Sequence, residues 1–159
     1  MKIAVIPGSF DPLTVGHVNI IERASLLFDE IHVVVGINKK KDYLFSVKDR
    51  VKMIKKSLSH LNNVTVTSYP GLIVSYCRNV SAQYIVKGLR DSTDFSYEHE
   101  LEINNKYIAP EIETVYFTSK KDNNFIRSSS VKTFLDYGVD VKDLVPNPVY
   151  EEILKLIKK

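Results

Sequence analysis

Between Pro7 and His17 the chain reads Pro-Gly-Ser-Phe-Asp-Pro-Leu-Thr-Val-Gly-His. An apolar run, Ile3–Ile6, stops where this stretch begins. An apolar pattern with helical spacing, Val18–Phe28, starts where it ends. A strand that turns tightly into a helix gathers free main-chain N–H groups and the positive end of the helix dipole in one place, which makes an anion site. Ser9, Thr14 and His17 add side-chain donors to it. Gly8 lets the backbone come close to a ligand, and Gly16 removes a side chain where the helix begins. These residue types at this spacing point to chemistry on phosphate, not on acyl groups or sugars. Neither a GxxxxGK[ST] nor a GxGxxG pattern occurs, which weighs against a P-loop or a dinucleotide fingerprint.

Four further stretches hold charge or hydroxyls. Lys39-Lys40-Lys41 opens a segment that runs to Phe45. A triple lysine is most often a solvated surface, but here it follows a strand. Lys87 and Arg90 bracket Gly88 in Val86-Lys-Gly-Leu-Arg-Asp91, a pattern suited to gripping phosphate. Asp94, Glu98, Glu100 and Glu102 read as a solvated acidic helix face. Ser128-Ser129-Ser130 precede a helical pattern, so they read first as a cap and second as a phosphate-holding helix start. His32, His60 and His99 lack such a context and read as structural. Glu98 and His99 are adjacent, so they do not share a helix face for a metal.

The elements that must position these residues alternate along the chain. β-rich runs cover Lys2–Pro7, Ile31–Ile37, Val64–Tyr69, Tyr84–Lys87 and Thr114–Thr118. Helical patterns cover His17–Phe28, Val47–Leu61, Leu72–Ser81, Tyr97–Tyr107, Ser129–Tyr137 and Val149–Ile157. Ser46 with Asp49 reads as a helix cap, Gly138 as a stop, and Asn147-Pro148 as a cap followed by proline in the first turn. The alternation predicts an α/β fold: a Rossmann-like, doubly wound, five-stranded parallel sheet with helices on both faces and extra C-terminal helices. Ligands of such sheets bind beyond the carboxyl ends of the strands, where the strand order reverses. The loops after the strands, which hold the charged stretches, leave from that edge.

Composition bounds the rest. At 159 residues, with 44% hydrophobic and 26% charged residues, one domain over residues 1–159 is expected. Cys77 is the one cysteine and lies in an apolar helical pattern, which predicts a buried structural thiol. No leader segment and no run of the length of a membrane span is visible, so a cytoplasmic protein without membrane contact is expected. The net charge of +3 comes without a basic helix face interleaved with aromatics. Small phosphates are therefore expected as partners, and nucleic acid is not.

Thr14-Val-Gly-His17 resembles the TxGH form of the HxGH signature of the nucleotidylyltransferase superfamily. The whole string Pro7–His17 is similar to the opening of the bacterial phosphopantetheine adenylyltransferases, and the resemblance runs from Lys2 into the last helix. Asn123–Lys132 resembles the superfamily's second signature, ISSTxxR, with Ile126, Ser128, Ser129 and Lys132 in register. The resemblance implies transfer of AMP from ATP to 4′-phosphopantetheine, giving dephospho-CoA and pyrophosphate, the penultimate step of coenzyme A synthesis. It implies His17, Lys41 and Ser9 at the reacting phosphate. Ser9, Phe10, His17, Gly88, Leu89, Arg90, Glu98, Asn123, Asn124, Phe125, Ile126, Arg127, Ser128 and Ser129 would line the ATP site. Ser9, Lys41, Ile73 and Lys87 would hold the acceptor. Mg²⁺ would arrive with ATP, carried by phosphates and water with no dedicated protein ligands, and a homohexamer would form.

The chain departs from that pattern at Asp42 (lysine in the family), Tyr43 (proline), Lys87 (arginine), Arg127 (serine) and Lys132 (arginine). Three other readings fit parts of the chain. A sibling transferase would act on nicotinamide mononucleotide, or on glycerol phosphate with CTP. A non-catalytic nucleotide-binding module would need the phosphate loops but not His17. A phospho-receiver domain would need an acidic pair where Pro7-Gly8 stands.

Overall fold

The computed structural model describes residues 1–123 and 126–159. Strands β1 (Ile3–Gly8), β2 (Glu30–Gly36), β3 (Val64–Tyr69), β4 (Tyr84–Leu89) and β5 (Glu113–Thr118) alternate with helices α1 (Val15–Ser25), α2 (Val47–Ser57), α3 (Ile73–Asn79) and α4 (Ser92–Ile108). A short 3-10 turn at Lys121–Asn123, then α5 (Ser128–Asp136) and α6 (Asn147–Ile157), complete the described elements. The strands form one five-stranded sheet in the order β3-β2-β1-β4-β5, and every pairing is parallel. This is the doubly wound, Rossmann-like fold expected from the alternation.

Successive residues of a strand face opposite sides, and the core divides accordingly. Ala4, Ile6, Ile31, Val33 and Val35 face one layer, against Ile20, Ile21 and Ala24 of α1, Met53 and Ile54 of α2, Val131 of α5, and Val149 and Ile153 of α6. Ile3, Val5, Val34 and Ile85 face the other, against Val74 and Cys77 of α3 with Ala109 and Ile112. Burial pushes the Cys77 thiol up to about 12, which keeps it protonated and unreactive at neutral pH.

Helix ends depart from the apolar spacing where a polar side chain caps earlier. α1 begins at Val15, not His17, because Thr14 accepts the His17 N–H. α4 begins at Ser92, not Tyr97, because the Asp91 carboxylate accepts the Asp94 N–H at 2.8 Å. Two expected caps move. Pro146, not Asn147, precedes the first turn of α6, and the Asn147 amide donates to Glu151 instead. Arg127 occupies the cap position of α5, where no side chain makes a cap hydrogen bond. Ser46 caps α2 as expected, and Gly138 takes a φ of 69° just past α5, a conformation open to glycine.

Candidate active site

β1 pairs with β2 along its whole length, from Ile3↔Glu30 to Gly8↔Val35. Its pairing with β4 stops after Ala4↔Tyr84 and Val5↔Ile85. Beyond Val5 the two strands part, and Pro7 has no N–H with which to rejoin them. A cleft of about 240 Å³ opens there, at the point where the strand order reverses. Ile6, Pro7 and Gly8 form one wall and Val86, Lys87 and Gly88 the other, with Gly16, His17 and Ile20 of α1 between them. Gly88 lets α1 sit close, since a side chain there would meet Ile20 Cγ1 at 3.2 Å.

His17 occupies the third position of α1, where a capping box normally has glutamate or glutamine. The Thr14 N–H donates to His17 Nδ1 at 3.0 Å, and Thr14 Oγ1 accepts the His17 N–H at 3.3 Å. A main-chain N–H can only donate, so Nδ1 is the acceptor and the ring proton resides on Nε2. Among the described residues no side chain partners Nε2, and the ring lines the cleft. Burial, reinforced by the nearby Arg90 charge, lowers the imidazole pKa to about 4. At neutral pH His17 is thus an uncharged donor with its proton held toward the cleft.

Phe10 covers the turn above it. Its φ of 47° lies in the left-handed region, which costs a non-glycine residue about 1–2 kcal/mol. The ring is 4% exposed, and it meets the His17 ring edge-on with centroids 5.1 Å apart. A Cβ at Gly8 would fall 2.8 Å from Phe10 Cζ, so the glycine is what lets the phenyl ring lie over the strand end.

The cations of the cleft are held by carboxylates. Lys87 Nζ lies 3.2 Å from Glu98 Oε2, but among the described residues nothing hydrogen-bonds to that buried oxygen. The pair is a charge contact with acceptor capacity to spare. Arg90 is gripped by Asp94 through Nε at 2.7 Å, Nη2 at 3.0 Å and its own N–H at 3.0 Å. Those hydrogen bonds hold the Asp94 carboxyl below the usual carboxylate range. They also leave Arg90 Nη1 outside the Asp94 grip.

Of the residues expected to do chemistry, the structure gathers Phe10, His17, Lys87, Gly88, Arg90, Glu98 and Ile126 around this cleft. Ser9, Lys41, Ile73, Leu89, Arg127, Ser128 and Ser129 lie outside its lining. The Ser9 carbonyl accepts from Arg50, and Lys41 is exposed in the loop after β2. Ile73 packs against the core on the opposite face of the sheet. Leu89 ends β4. Arg127 pairs with Asp91 at 2.8 Å and approaches Asp94 at 4.0 Å, one side chain away from Arg90. Ser128 Oγ donates to the Pro12 carbonyl at 2.8 Å, and the Ser129 carbonyl accepts from Thr133. Asn124, Phe125 and the side chain of Asn123 lie outside the described residues. His32, His60 and His99 pair with Glu30, Glu22 and Glu102, away from the cleft. Among the described residues no group of three His, Cys, Asp or Glu side chains is arranged to hold a metal ion, and no helix is long and apolar enough to cross a membrane.

Sequence reading missed Asp11 and Arg50, and it placed Lys132 only in the second signature, without its partner Asp11. Asp11 is 1% exposed and accepts the Leu44 and Phe45 N–H groups at 2.8 and 3.0 Å, while Lys132 Nζ lies 2.9 Å from its Oδ2. The Pro12 that follows Asp11 and the polar context of Asp42–Ser46 were the available signals, and neither specifies a partner.

The profile of the cytidylyltransferase-like family matches residues 5–134, which spans the strands, the cleft and α5. The chain belongs to the cytidylyltransferase-like family. Solved structures share the fold at low identity. A bifunctional NMN adenylyltransferase/ADP ribose pyrophosphatase from Francisella tularensis superposes with a TM-score of 0.76 at 19% identity, over 99% of this chain and 50% of that one. The same enzyme complexed with AMP and a Mn ion gives 0.75 at 18%, over 99% and 49%. An unconfirmed nicotinate-nucleotide adenylyltransferase from Vibrio parahaemolyticus gives 0.72 at 20%, over 97% and 99%. This member of the family thus spans about half the length of the Francisella chain.

Proposed function

We propose that this cytidylyltransferase-like protein transfers the adenylyl group of ATP to 4′-phosphopantetheine, releasing pyrophosphate and dephospho-CoA. One observation carries the choice of reaction type: a neutral His17 whose Nε2–H faces a cleft flanked by Lys87 and Arg90. No residue of that set is a nucleophile with a base beside it. A phosphate oxygen of the acceptor therefore attacks the α-phosphorus of ATP in line, and pyrophosphate leaves from the opposite side. Catalysis comes from positioning and charge stabilisation. His17, with Ser9 and Lys41 from the adjoining loops, donates to the oxygens around the crowded phosphorus. Arg90 and the uncapped start of α5 hold the β- and γ-phosphates, and Gly88 and Leu89 admit the nucleotide beside the end of β4.

A divalent cation accompanies the nucleotide. The described residues offer it no cage, so phosphates and water supply its ligands. The Francisella enzyme's complex with AMP and a Mn ion supports nucleotide use with a metal. The choice of 4′-phosphopantetheine rests on the motif resemblance, with Lys87 and Ile73 toward the acceptor. The proposed homohexamer has support in α4, which buries none of its residues and exposes Phe95, Tyr97, Ile103 and Tyr107.

A second acceptor class is favoured by the structural neighbours, whose names refer to NMN and nicotinate nucleotide. Pyrophosphate release measured for ATP and for CTP against 4′-phosphopantetheine, nicotinamide mononucleotide, nicotinate mononucleotide and glycerol phosphate separates these readings. Release with ATP and 4′-phosphopantetheine alone is expected. Release only with another pair overturns the acceptor assignment, and release with none overturns the catalytic one.

A further inference from the structure

Arg50 is fully buried, yet no carboxylate is bonded to it. Its Nε donates to the Phe45 carbonyl at 3.2 Å and its Nη1 to the Ser9 carbonyl at 2.7 Å, while Nη2 has no hydrogen-bond partner among the described residues. A buried cation of this kind is costly next to an apolar side chain of the same volume. What it supplies is geometry, because it bridges the loop after β1 to the loop after β2. The Tyr43 ring lies over its guanidinium, 4.0 Å from ring centroid to Cζ, in the arrangement of a cation–π contact.

Tyr43 also reaches the other end of its loop. Its hydroxyl accepts the Asn38 N–H at 3.3 Å, and the Asn38 carbonyl and side chain in turn accept the Lys41 and Lys40 N–H groups at 3.1 and 3.0 Å. Immediately after Tyr43, the Leu44 and Phe45 N–H groups end on Asp11, which Lys132 of α5 holds from the far side. The tip that carries Lys41 is thus closed by one tyrosine, and that tyrosine is seated on the one side chain that also grips Ser9.

We propose that Tyr43, seated on Arg50 and flanked by the Asp11 anchor, is a positioning residue that sets the aim of Lys41 toward the phosphate loop at Ser9. Ring stacking and a hydroxyl contact fix the 38–45 loop here without a proline. The catalytic part of this proposal rests on the reading of Lys41 as a contact to the reacting phosphate; the ordering of the loop does not.

Two measurements on the full chain test it. Trypsin cuts after lysine, so cleavage within Lys39–Lys41 reports opening of the loop. Y43A should raise that cleavage rate about tenfold with little change in melting temperature, and Y43F, which keeps the stack, should fall between Y43A and the unaltered chain. In the second, kcat/KM for 4′-phosphopantetheine should fall about tenfold in Y43A while the KM for ATP holds. In a K41A background the same change should add less than about twofold, because a residue acting through Lys41 has nothing left to aim. Unchanged trypsin cleavage, or full additivity of Y43A with K41A, overturns the proposal. If the unaltered protein makes no dephospho-CoA, the acceptor reading fails by itself, and trypsin cleavage still decides whether Tyr43 orders the loop.

Discussion

The Thr14 main-chain N–H donates to Nδ1 of His17 at 3.0 Å, and this one contact does two jobs. It closes a capping box at the start of α1, and it commits the only ring proton of His17 to Nε2, toward the cleft. Fold and chemistry therefore share a hydrogen bond, and changes at either residue should be read out in both.

Replacing His17 with alanine removes the proposed donor to the reacting phosphate. kcat should fall by about 10²–10³, the scale for losing one oxyanion donor. Calorimetry should show ATP affinity nearly unchanged. A loss under about threefold in kcat contradicts the assigned role.

The low pKa of His17 has a signed consequence for stability. The unfolded chain takes a proton near the ordinary value of 6.5, the folded chain only near 4. Between these values the unfolded state binds more protons, so stability is lost as pH falls from about 6.5 toward 4, by up to about 1.4 kcal/mol per pH unit from this group. Urea melts at stepped pH should show this slope in the native chain, and H17Q should flatten it. An NMR titration of the ring that finds protonation near 6.5 in the folded protein would contradict the account.

A methyl group at Gly8 would collide with the Phe10 ring. Gly8→Ala should destabilise the protein by about 1–3 kcal/mol, the usual cost of overpacking. It should also weaken ATP binding by displacing Phe10 from the roof of the cleft. Chemical denaturation and calorimetry on one preparation check both effects. A variant of native stability and native affinity would show that the ring yields freely.

Asp94 fixes Arg90 by a two-pronged grip. Asp94→Asn keeps the shape and loses the charge, so Arg90 should wander and the KM for ATP should rise about tenfold, with Arg90→Lys giving a similar rise because a point charge cannot occupy both prongs. Initial-rate kinetics at fixed acceptor distinguish this from the contrary outcome, in which freeing Arg90 tightens ATP.

Lys87 keeps the charge of the arginine that the resemblance to the phosphopantetheine adenylyltransferases implies there, without its fork. Lys87→Arg should lower the KM for 4′-phosphopantetheine about threefold or more and leave kcat alone. An unchanged or higher KM counts against Lys87 as an acceptor contact.

Much of this was legible in the chain, for identifiable reasons. Val33–Val35 is continuously apolar, so a strand buried on both faces follows directly, and the alternation of such runs with helical patterns sets the sheet. Pro7–His17 is local, and its anion-binding turn is a matter of neighbouring residues. What stayed hidden depends on partners far apart in sequence. The cleft exists because β1 and β4 part after Val5 and Ile85, and no periodicity encodes where two strands stop pairing. Asp11 and Arg50 satisfy main-chain groups across separations of 34 and 41 residues, which composition and spacing cannot reveal. The start of α4 was hidden for the opposite reason: the apolar spacing is weak there, and a single carboxylate, Asp91, decides it.

In the proposed reaction ATP yields its adenylyl group, the α-phosphorus included, directly to 4′-phosphopantetheine. The most direct test incubates the protein with 4′-phosphopantetheine and Mg-ATP radiolabelled at the α-phosphorus, then quenches with acid and separates protein from products. Direct transfer puts the label in dephospho-CoA, releases pyrophosphate in equal amount and leaves none on the protein. Label retained in ATP, or bound covalently to the chain, would contradict it.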